Sequence, residues 1–350
     1  MIPARPNLSY NDIAQHAKKA LRPYGVQSVC DAALNSFAHH RGKGLEELRS
    51  APWLGALLVK FSLEDLQTPL HLPAPCPSQL FDSLRQMLWD VSPLSEGRGT
   101  QSVFLGLRAM LNTQLQFQQR ETFSFVRWPA LVLDLPESHP TRMQFESVLG
   151  MSPTSFIGLC WAAYAQILNQ RQIIGRSHFN ALESLYGAGV SAFLQLFSRD
   201  VAGLRTEVRA DFDRRLNVAR AKGDLAAVRD PIEVTEFPWL QKYPLLLLPS
   251  GDYAVWHPRI FARSVEQAVH RSLSTLGQKY TDPFSREFEK YVLSLLNETG
   301  LMYQSEEEFK TQYGRDSAAV EAIAECAGGR VLIECKMSLF PDEVVSSDSR

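Results

Sequence analysis

The chain lacks most of the short signatures that announce an enzyme class. It has no HExxH, no GxSxG and no GxGxxG, so a zincin, a serine-hydrolase elbow and a dinucleotide-binding loop have no footing in it. Cysteine is scarce. The five thiols, Cys30, Cys76, Cys160, Cys326 and Cys335, are odd in number and form no CxxC pair. That excludes a disulfide framework and a cysteine-based zinc site, and buried reduced thiols are expected instead. No run of 18 or more apolar residues occurs, so no spanning helix and no membrane partner are expected. The opening residues, "MIPARPNLSYNDIAQ", contain no apolar stretch of the secretory kind, so a cytoplasmic location is expected. A strong net charge is missing too: the formal value is −2.

What is present describes a globular protein. Apolar residues make up 45% of 350, enough for two domains and a sizeable core. The near-neutral total conceals an asymmetry. Residues 276–350 hold 8 Lys+Arg against 14 Asp+Glu, a net of −6, whereas the remainder holds 28 against 24, a net of +4. A polyanion would therefore be held mainly by the earlier part.

The first 235 residues read as helices. "SYNDIAQHAKKAL" starts on Ser9 as a cap, with Asp12 three residues later. "PSQLFDSLRQMLWDV" puts Leu80, Phe81, Leu84, Met87, Leu88 and Val91 on one face, with Ser78 as cap. "TSFIGLCWAAYAQILNQ" is apolar nearly all round and predicts a central, buried helix. Residues 68–77 and 129–140 are proline-rich connections. Residues 203–222 form a helix bearing Arg205, Arg209, Arg214, Arg215, Arg220 and Lys222: a solvated face, or a phosphate-tracking surface centred on Arg209, Arg214 and Arg215. "YPLLLLPSGDYAVWHPRIF" predicts strands at 245–248 and 253–256 around a Pro-Ser-Gly-Asp turn, a hairpin that docks one domain on the other. A helix near 259–275 and a connection, "GQKYTDP", follow. The domain boundary is placed at 275/276.

Beyond it, Pro283 opens a helix that Gly300 stops, with Phe284, Phe288, Tyr291, Val292, Leu295 and Leu296 as its apolar stripe and Glu287 and Glu289 flanking. "SEEEF" at 305–309 reads as a solvated loop. Gly328-Gly329 reads as a two-residue hairpin loop, pairing Glu325 with Leu332, Ile323 with Glu334 and Glu321 with Lys336. One face of this hairpin is then apolar (Val320, Ala322, Ala324, Cys326, Val331, Ile333, Cys335). The other gathers Glu321, Glu334 and Lys336 at its far end, the last two about 7 Å apart along the strand. Oxygen ligands of this kind suit Mg²⁺ or Mn²⁺, and a lysine beside them suits phosphodiester hydrolysis. A salt bridge on a solvated sheet face uses the same residues.

"VEAIAECAGGRVLIECK" resembles the PD-(D/E)XK nuclease superfamily, whose signature is a strand-end acid, a hairpin, and an apolar strand ending in Glu-x-Lys. The resemblance spans roughly residues 283–338. It implies a restriction-endonuclease-like α/β core over 276–350 after a mainly helical domain over 1–275. It also implies Glu321, Glu334 and Lys336 as catalytic residues, and Glu289 of "FEKYV" beside Glu321 and Glu334 as a metal ligand. The first acid of the family is usually Asp. Here it is Glu321, with Asp316 as a rival whose parity puts it on the apolar face. The family adds another helix and strand where this chain stops 14 residues after Lys336, so the domain is expected to be incomplete. The helical region before such a core looks like nuclease subunits of bacterial antiphage systems, some of which cut transfer RNA. The expected partners are DNA or RNA and either a partner subunit or a second copy; the competing expectation is an inactive nuclease fold used for binding or as a scaffold. "FAHHRGKG" at 37–44 lacks P-loop spacing and reads as a surface loop. The pairs Arg171/His178 and Arg263/His270 match HEPN-ribonuclease spacing at its outer limit and read as chance.

Overall fold

The computed structural model describes residues 9–41, 43, 46, 47, 50–91, 114, 117, 127–169, 172–223, 238–314, 320–326 and 328–335, without the side chains of 215, 218, 219 and 222. The described residues are mostly helical, with two small sheets among them. In chain order the helices are α1 (Tyr10–Leu21), α2 (Gly25–His40), α3 (Pro52–Glu64), α4 (Ser78–Asp90), α5 (Pro140–Leu149), α6 (Pro153–Leu168) and α7 (Arg176–Tyr186). They continue as α8 (Gly189–Phe197), α9 (Val201–Lys222), α10 (Pro238–Lys242), α11 (Pro258–Leu273), α12 (Gln278–Thr299) and α13 (Glu306–Tyr313). The strands are β1 (Ile173–Ile174), β2 (Ser198–Arg199), β3 (Leu245–Leu247), β4 (Tyr253–Val255), β5 (Tyr303–Ser305), β6 (Ala322–Cys326) and β7 (Gly329–Ile333).

Two compact units emerge. The first takes in Met1–Thr122 and Leu159–Val265; the second takes in Phe123–Gly158 and Glu266–Leu339. The boundary read from sequence, 275/276, lies inside the second unit. Each unit is therefore discontinuous in the chain.

In the first unit, α1 begins with the expected capping box: Ser9 Oγ accepts from Asp12 N at 3.1 Å while Asp12 Oδ2 accepts from Ser9 N at 3.1 Å. α2 is started differently. Val26 N and Gln27 N donate to the carbonyls of Pro69 and Leu70 at 2.9 and 3.0 Å, so the proline-rich connection supplies acceptors for an uncapped helix end. Gly25 makes that approach feasible: its φ is +74°, and a Cβ there would sit 3.0 Å from Leu72 N. Phe37 lies in α2 and in the core rather than in a surface loop. The helix buried on nearly every side is α3, whose residues Leu54–Leu63 are all buried. α6, expected in that role, exposes Trp161 (44%) and Leu168 (59%), so its apolar character exceeds its burial. α4 buries Phe81, Leu84 and Leu88 as its periodicity requires, but Ser78 is its first helical residue and Pro77 holds the cap position. β3 and β4 form the expected hairpin (Leu245↔Val255, Leu247↔Tyr253), with Gly251 at φ +87° in the turn. They are the centre of a mixed sheet, order β1-β4-β3-β2, with β2 parallel to β3. The hairpin is flanked on both sides by strands of its own unit and forms the centre of their sheet.

The second unit has an aromatic core. Trp128, Tyr280 and Phe284 are buried around His270, whose Nδ1 lies 2.7 Å from the Tyr280 hydroxyl. That places His270 in packing, in keeping with the chance reading of its spacing from Arg263. α12 starts five residues earlier than Pro283, which lies inside it. Proline has no N–H to give to the Lys279 carbonyl four residues back. Gln144 Nε2 of α5 donates to that carbonyl instead, at 2.8 Å. An external donor thus lets the helix run through the proline. Gly300, at φ +70°, ends it as expected. Phe284 and Leu296 of the expected stripe are buried and Leu295 is 41% exposed, while Leu293 packs on the sheet instead. "SEEEF" is not a loop: Ser305 and Glu308 form a capping box that starts α13.

Candidate functional site

β5, β6 and β7 make an antiparallel meander, and α12 covers the face carrying Ala322, Ala324 and Ile333 through Leu293 and Leu296. The observed register is Ala322↔Ile333, Ile323↔Leu332, Ala324↔Val331, Glu325↔Arg330 and Cys326↔Gly329. It differs by two residues from the register expected around Gly328-Gly329. Cys326↔Gly329 is the last pair of the ladder, and Gly329 takes the first position of β7 with φ +146°, an angle side chains rarely allow. A shift of two preserves parity, so every residue keeps its expected face. What changes is the pairing. Glu325 now faces Arg330, with a salt bridge of 3.5 Å. Continued one step past Ala322↔Ile333, the register sets Glu321 across from Glu334 rather than Lys336.

Glu321 is the hub of this sheet end. Its Oε2 accepts from Cys335 N at 2.9 Å, and its carbonyl accepts from Glu306 N at 3.0 Å, tying the start of β6 to both β7 and α13. Glu289 of α12 lies in the field of this group. Its carboxyl is pushed up, first by burial, then by Glu321 and Glu306, with Arg286 opposing. The half-buried Cys335 thiol is pushed up by burial and then by Glu321 and Glu289. Three carboxylates therefore share one electrostatic neighbourhood. Glu306, which also bridges Lys310 at 2.6 Å, was hidden by the loop reading of its segment. Glu334 follows β7 and is exposed at the sheet end. Lys336 and Asp316 lie outside the described residues, as does Arg171.

No family model, curated protein or solved structure matches this chain. The site must be read from its own chemistry. Among the described residues, no group of three or more His, Cys, Asp or Glu is arranged to hold a metal ion. The side chains near Glu321 offer carboxylate oxygens, the donor type that a hard divalent cation takes.

The basic helix is α9. Arg205 turns inward, donating to the carbonyls of Ser62 (3.2 Å) and Thr68 (2.6 Å), and burial lowers its guanidinium. It is a helix-end brace. Arg209 and Arg214 are exposed, Arg214 bridging Asp211. The side chain of Arg215 lies outside the described residues. Two thiols, Cys30 and Cys160, are buried as expected; Cys326 is exposed and Cys335 half-buried. No single helix among the described residues is long and apolar enough to cross a membrane.

Proposed function

We propose that the protein is a metal-dependent nuclease that hydrolyses phosphodiester bonds of DNA or RNA, in the manner of a defence-system subunit. One observation carries this reading: the strand-end carboxylate Glu321 and the helix carboxylate Glu289 share a like-charged neighbourhood, at the sheet end where β7 delivers Glu334. Repulsion of that kind is relieved by a cation. Glu289, Glu321 and Glu334 would hold Mg²⁺ or Mn²⁺. A bound ion there supplies Lewis acidity and an acidified water.

The chain's own residues set up the rest. The hydrogen bond from Cys335 N fixes Glu321 Oε2, so this carboxylate is oriented before anything binds. Glu289 would approach from α12 and so would be positioned independently of the hairpin. Lys336 would place or activate the attacking water and steady developing charge. Arg209, Arg214 and Arg215 would hold phosphates of the polymer, in keeping with the positive balance of residues 1–275.

The test is incubation of the protein with labelled DNA and with total RNA in Mn²⁺. Cleavage is expected, and Glu334→Gln and Lys336→Ala should each lower it on the order of 100-fold or more. Cleavage at near wild-type rates in both variants would overturn the assignment. Neutralising Arg209, Arg214 and Arg215 together should weaken binding and flatten its salt dependence; an unchanged salt slope would show that α9 holds no phosphate.

A further inference from the structure

The dipeptide His-Pro occurs twice in the chain, at 139–140 and 257–258, and each copy starts a helix. The proline takes the first helical position of α5 and of α11, where a missing N–H does no harm. The histidine before it serves the second helical N–H with its ring. His139 Nδ1 accepts from Thr141 N at 3.2 Å, and His257 Nδ1 accepts from Arg259 N at 3.3 Å. The far nitrogen of each ring meets a carboxylate from a distant stretch of its own unit. His139 Nε2 lies 3.4 Å from Glu287 Oε1, and His257 Nε2 lies 2.8 Å from Glu47 Oε1. A ring nitrogen that accepts carries no proton. Both rings are therefore neutral in this arrangement, with the proton on Nε2 facing the carboxylate.

The two copies differ in their access to water and in the company they keep. His257 is 3% exposed, and Arg259 reaches Glu47 Oε1 at 3.5 Å, so that carboxylate has a cation without the ring. The His139 side chain is 20% exposed. From α12 it faces Glu287, whose Oε1 also accepts from Lys290 Nζ at 2.8 Å. On its own stretch the charges are Arg142, Glu137 and Glu146, and Arg142 bridges the two carboxylates at 3.9 and 3.7 Å. Arg142 also donates to the carbonyls of Leu133 and Leu135, so it is turned away to the segment before the helix. One atom beside this ring is left over. Thr141 is fully buried, and its Oγ1 has no hydrogen-bond partner among the described residues. A buried hydroxyl in that state calls for an explanation. The residue whose N–H the neutral ring serves thus also carries an acceptor that nothing uses.

We propose that His139 is a proton-operated latch between α5 and α12. The neutral ring caps α5 through Thr141 N. A proton added at Nδ1 turns an acceptor into a donor facing the Thr141 N–H, so the cap opens. The ring then donates from Nδ1 to Thr141 Oγ1, and its charge strengthens the contact with Glu287. Each protonation state has partners already in place, which suits a histidine to switching. Acid thereby exchanges a helix cap within α5 for an ion pair from α5 to α12. His257 is the locked copy of the same device, because burial holds that ring toward its neutral form. The latch goes beyond the nuclease reading and uses none of its residues.

The experiment is a titration of the full chain from about pH 8 to 5, with histidine ring nitrogens and the Thr141 amide followed by NMR. His139→Asn identifies the ring signals by their loss, and it keeps an acceptor at the cap without a titrating group. At the alkaline end the His139 ring is expected as the Nε2–H tautomer. As pH falls, its signals should report a second proton, and the Thr141 amide should move with the same midpoint. In H139N that amide should not follow the pH. Thr141→Val, which removes the unused hydroxyl, should shift the wild-type transition to lower pH. Circular dichroism checks that both variants are folded. An Nδ1–H tautomer at the alkaline end overturns the latch, and so does a ring that stays neutral throughout. A Thr141 amide indifferent to that proton, or one that titrates equally in H139N, overturns it as well. A transition unmoved by Thr141→Val overturns the exchange of partners. None of these readouts uses metal or nucleic acid, so the latch stands or falls separately from cleavage.

Discussion

The two units hold particular carboxylates in contrasting company. In the first, Glu64 sits against Lys18 at 2.9 Å and Lys60 at 3.6 Å, and those cations hold its carboxyl down despite burial. Glu47 likewise meets the Arg259 guanidinium at 3.5 Å, and it is hydrogen-bonded at 2.8 Å to His257, a ring that burial holds toward its neutral form. In the second, Glu289 finds Glu321 and Glu306, and its carboxyl rises. The packing differs in parallel. The first unit buries a broad apolar cluster drawn from α1 to α4 and from its own sheet. The β5–β7 sheet buries Leu296, Ala322 and Ala324. Opposite charges matched inside a dense core offset each other's desolvation, so that neither can be removed cheaply on its own. Like charges at the end of a thinly covered sheet cost stability, and the arrangement makes sense when something from outside completes it.

The comparison can be broken from its matched side. Removing one partner of a buried pair leaves the other uncompensated, so Glu47→Ala should cost about 3–5 kcal/mol in a urea melt. Glu47→Gln keeps an acceptor for His257 and should cost distinctly less. A loss below about 1 kcal/mol for the alanine variant would show that the pairing contributes little.

pH sharpens it next. Burial pushes His270 down to about 4, with Arg127 adding to the effect, and burial also lowers His257. A histidine whose folded value lies below its unfolded value of about 6.5 binds a proton on unfolding. Its contribution is therefore complete above pH 6.5 and is lost as pH falls toward 4. For His270 the loss reaches about 3 kcal/mol, measurable as a falling urea midpoint across that window. A midpoint that is flat from pH 7 to 4 would contradict the burial of both rings.

The smallest effect has the opposite sign. A carboxyl raised in the folded state opposes folding when it is ionised, so Glu289→Gln should stabilise the metal-free protein, by about 1–2 °C in melting temperature. Addition of Mn²⁺ should then favour the wild type over the variant. A variant that melts lower than wild type without metal would end the contrast between the units.

How far the sequence shows this is best judged at particular residues. Caps and periodicity located α1, α4 and the end of α12, because each has a local physical cause within one or two turns. The β3–β4 hairpin was legible for the same reason. Two-residue strands such as β1 and β2 have no period to detect. The β6–β7 register was missed by two because adjacent glycines allow two loops, and the choice fell to the ladder's need for Gly329 at a positive φ. Face assignment survived, since parity is insensitive to an even shift. The Glu321–Glu289 association was reached by resemblance, not by local pattern, for it depends on how α12 lies on the sheet. Glu306 had a readable signal, the S-x-x-E of Ser305 and Glu308, that was passed over. In the first unit, the inward turn of Arg205 depends on carbonyls more than a hundred residues away, which no local pattern encodes.

Gln144 has a bearing on how this protein can be taken apart. A gene fragment beginning at residue 276 would encode the β5–β7 sheet, the carboxylates and α12, and so would carry every residue of the motif. It would lack the amide that serves the Lys279 carbonyl. It would also lack His139, which lies 3.4 Å from Glu287, and Trp128 beside Phe284. Portability therefore belongs to the pair of stretches, 123–158 and 266–339, and not to the motif. A transplant of the site into another protein would have to carry both, and an evolutionary shuffle that moved the last stretch alone would deliver an unsupported helix.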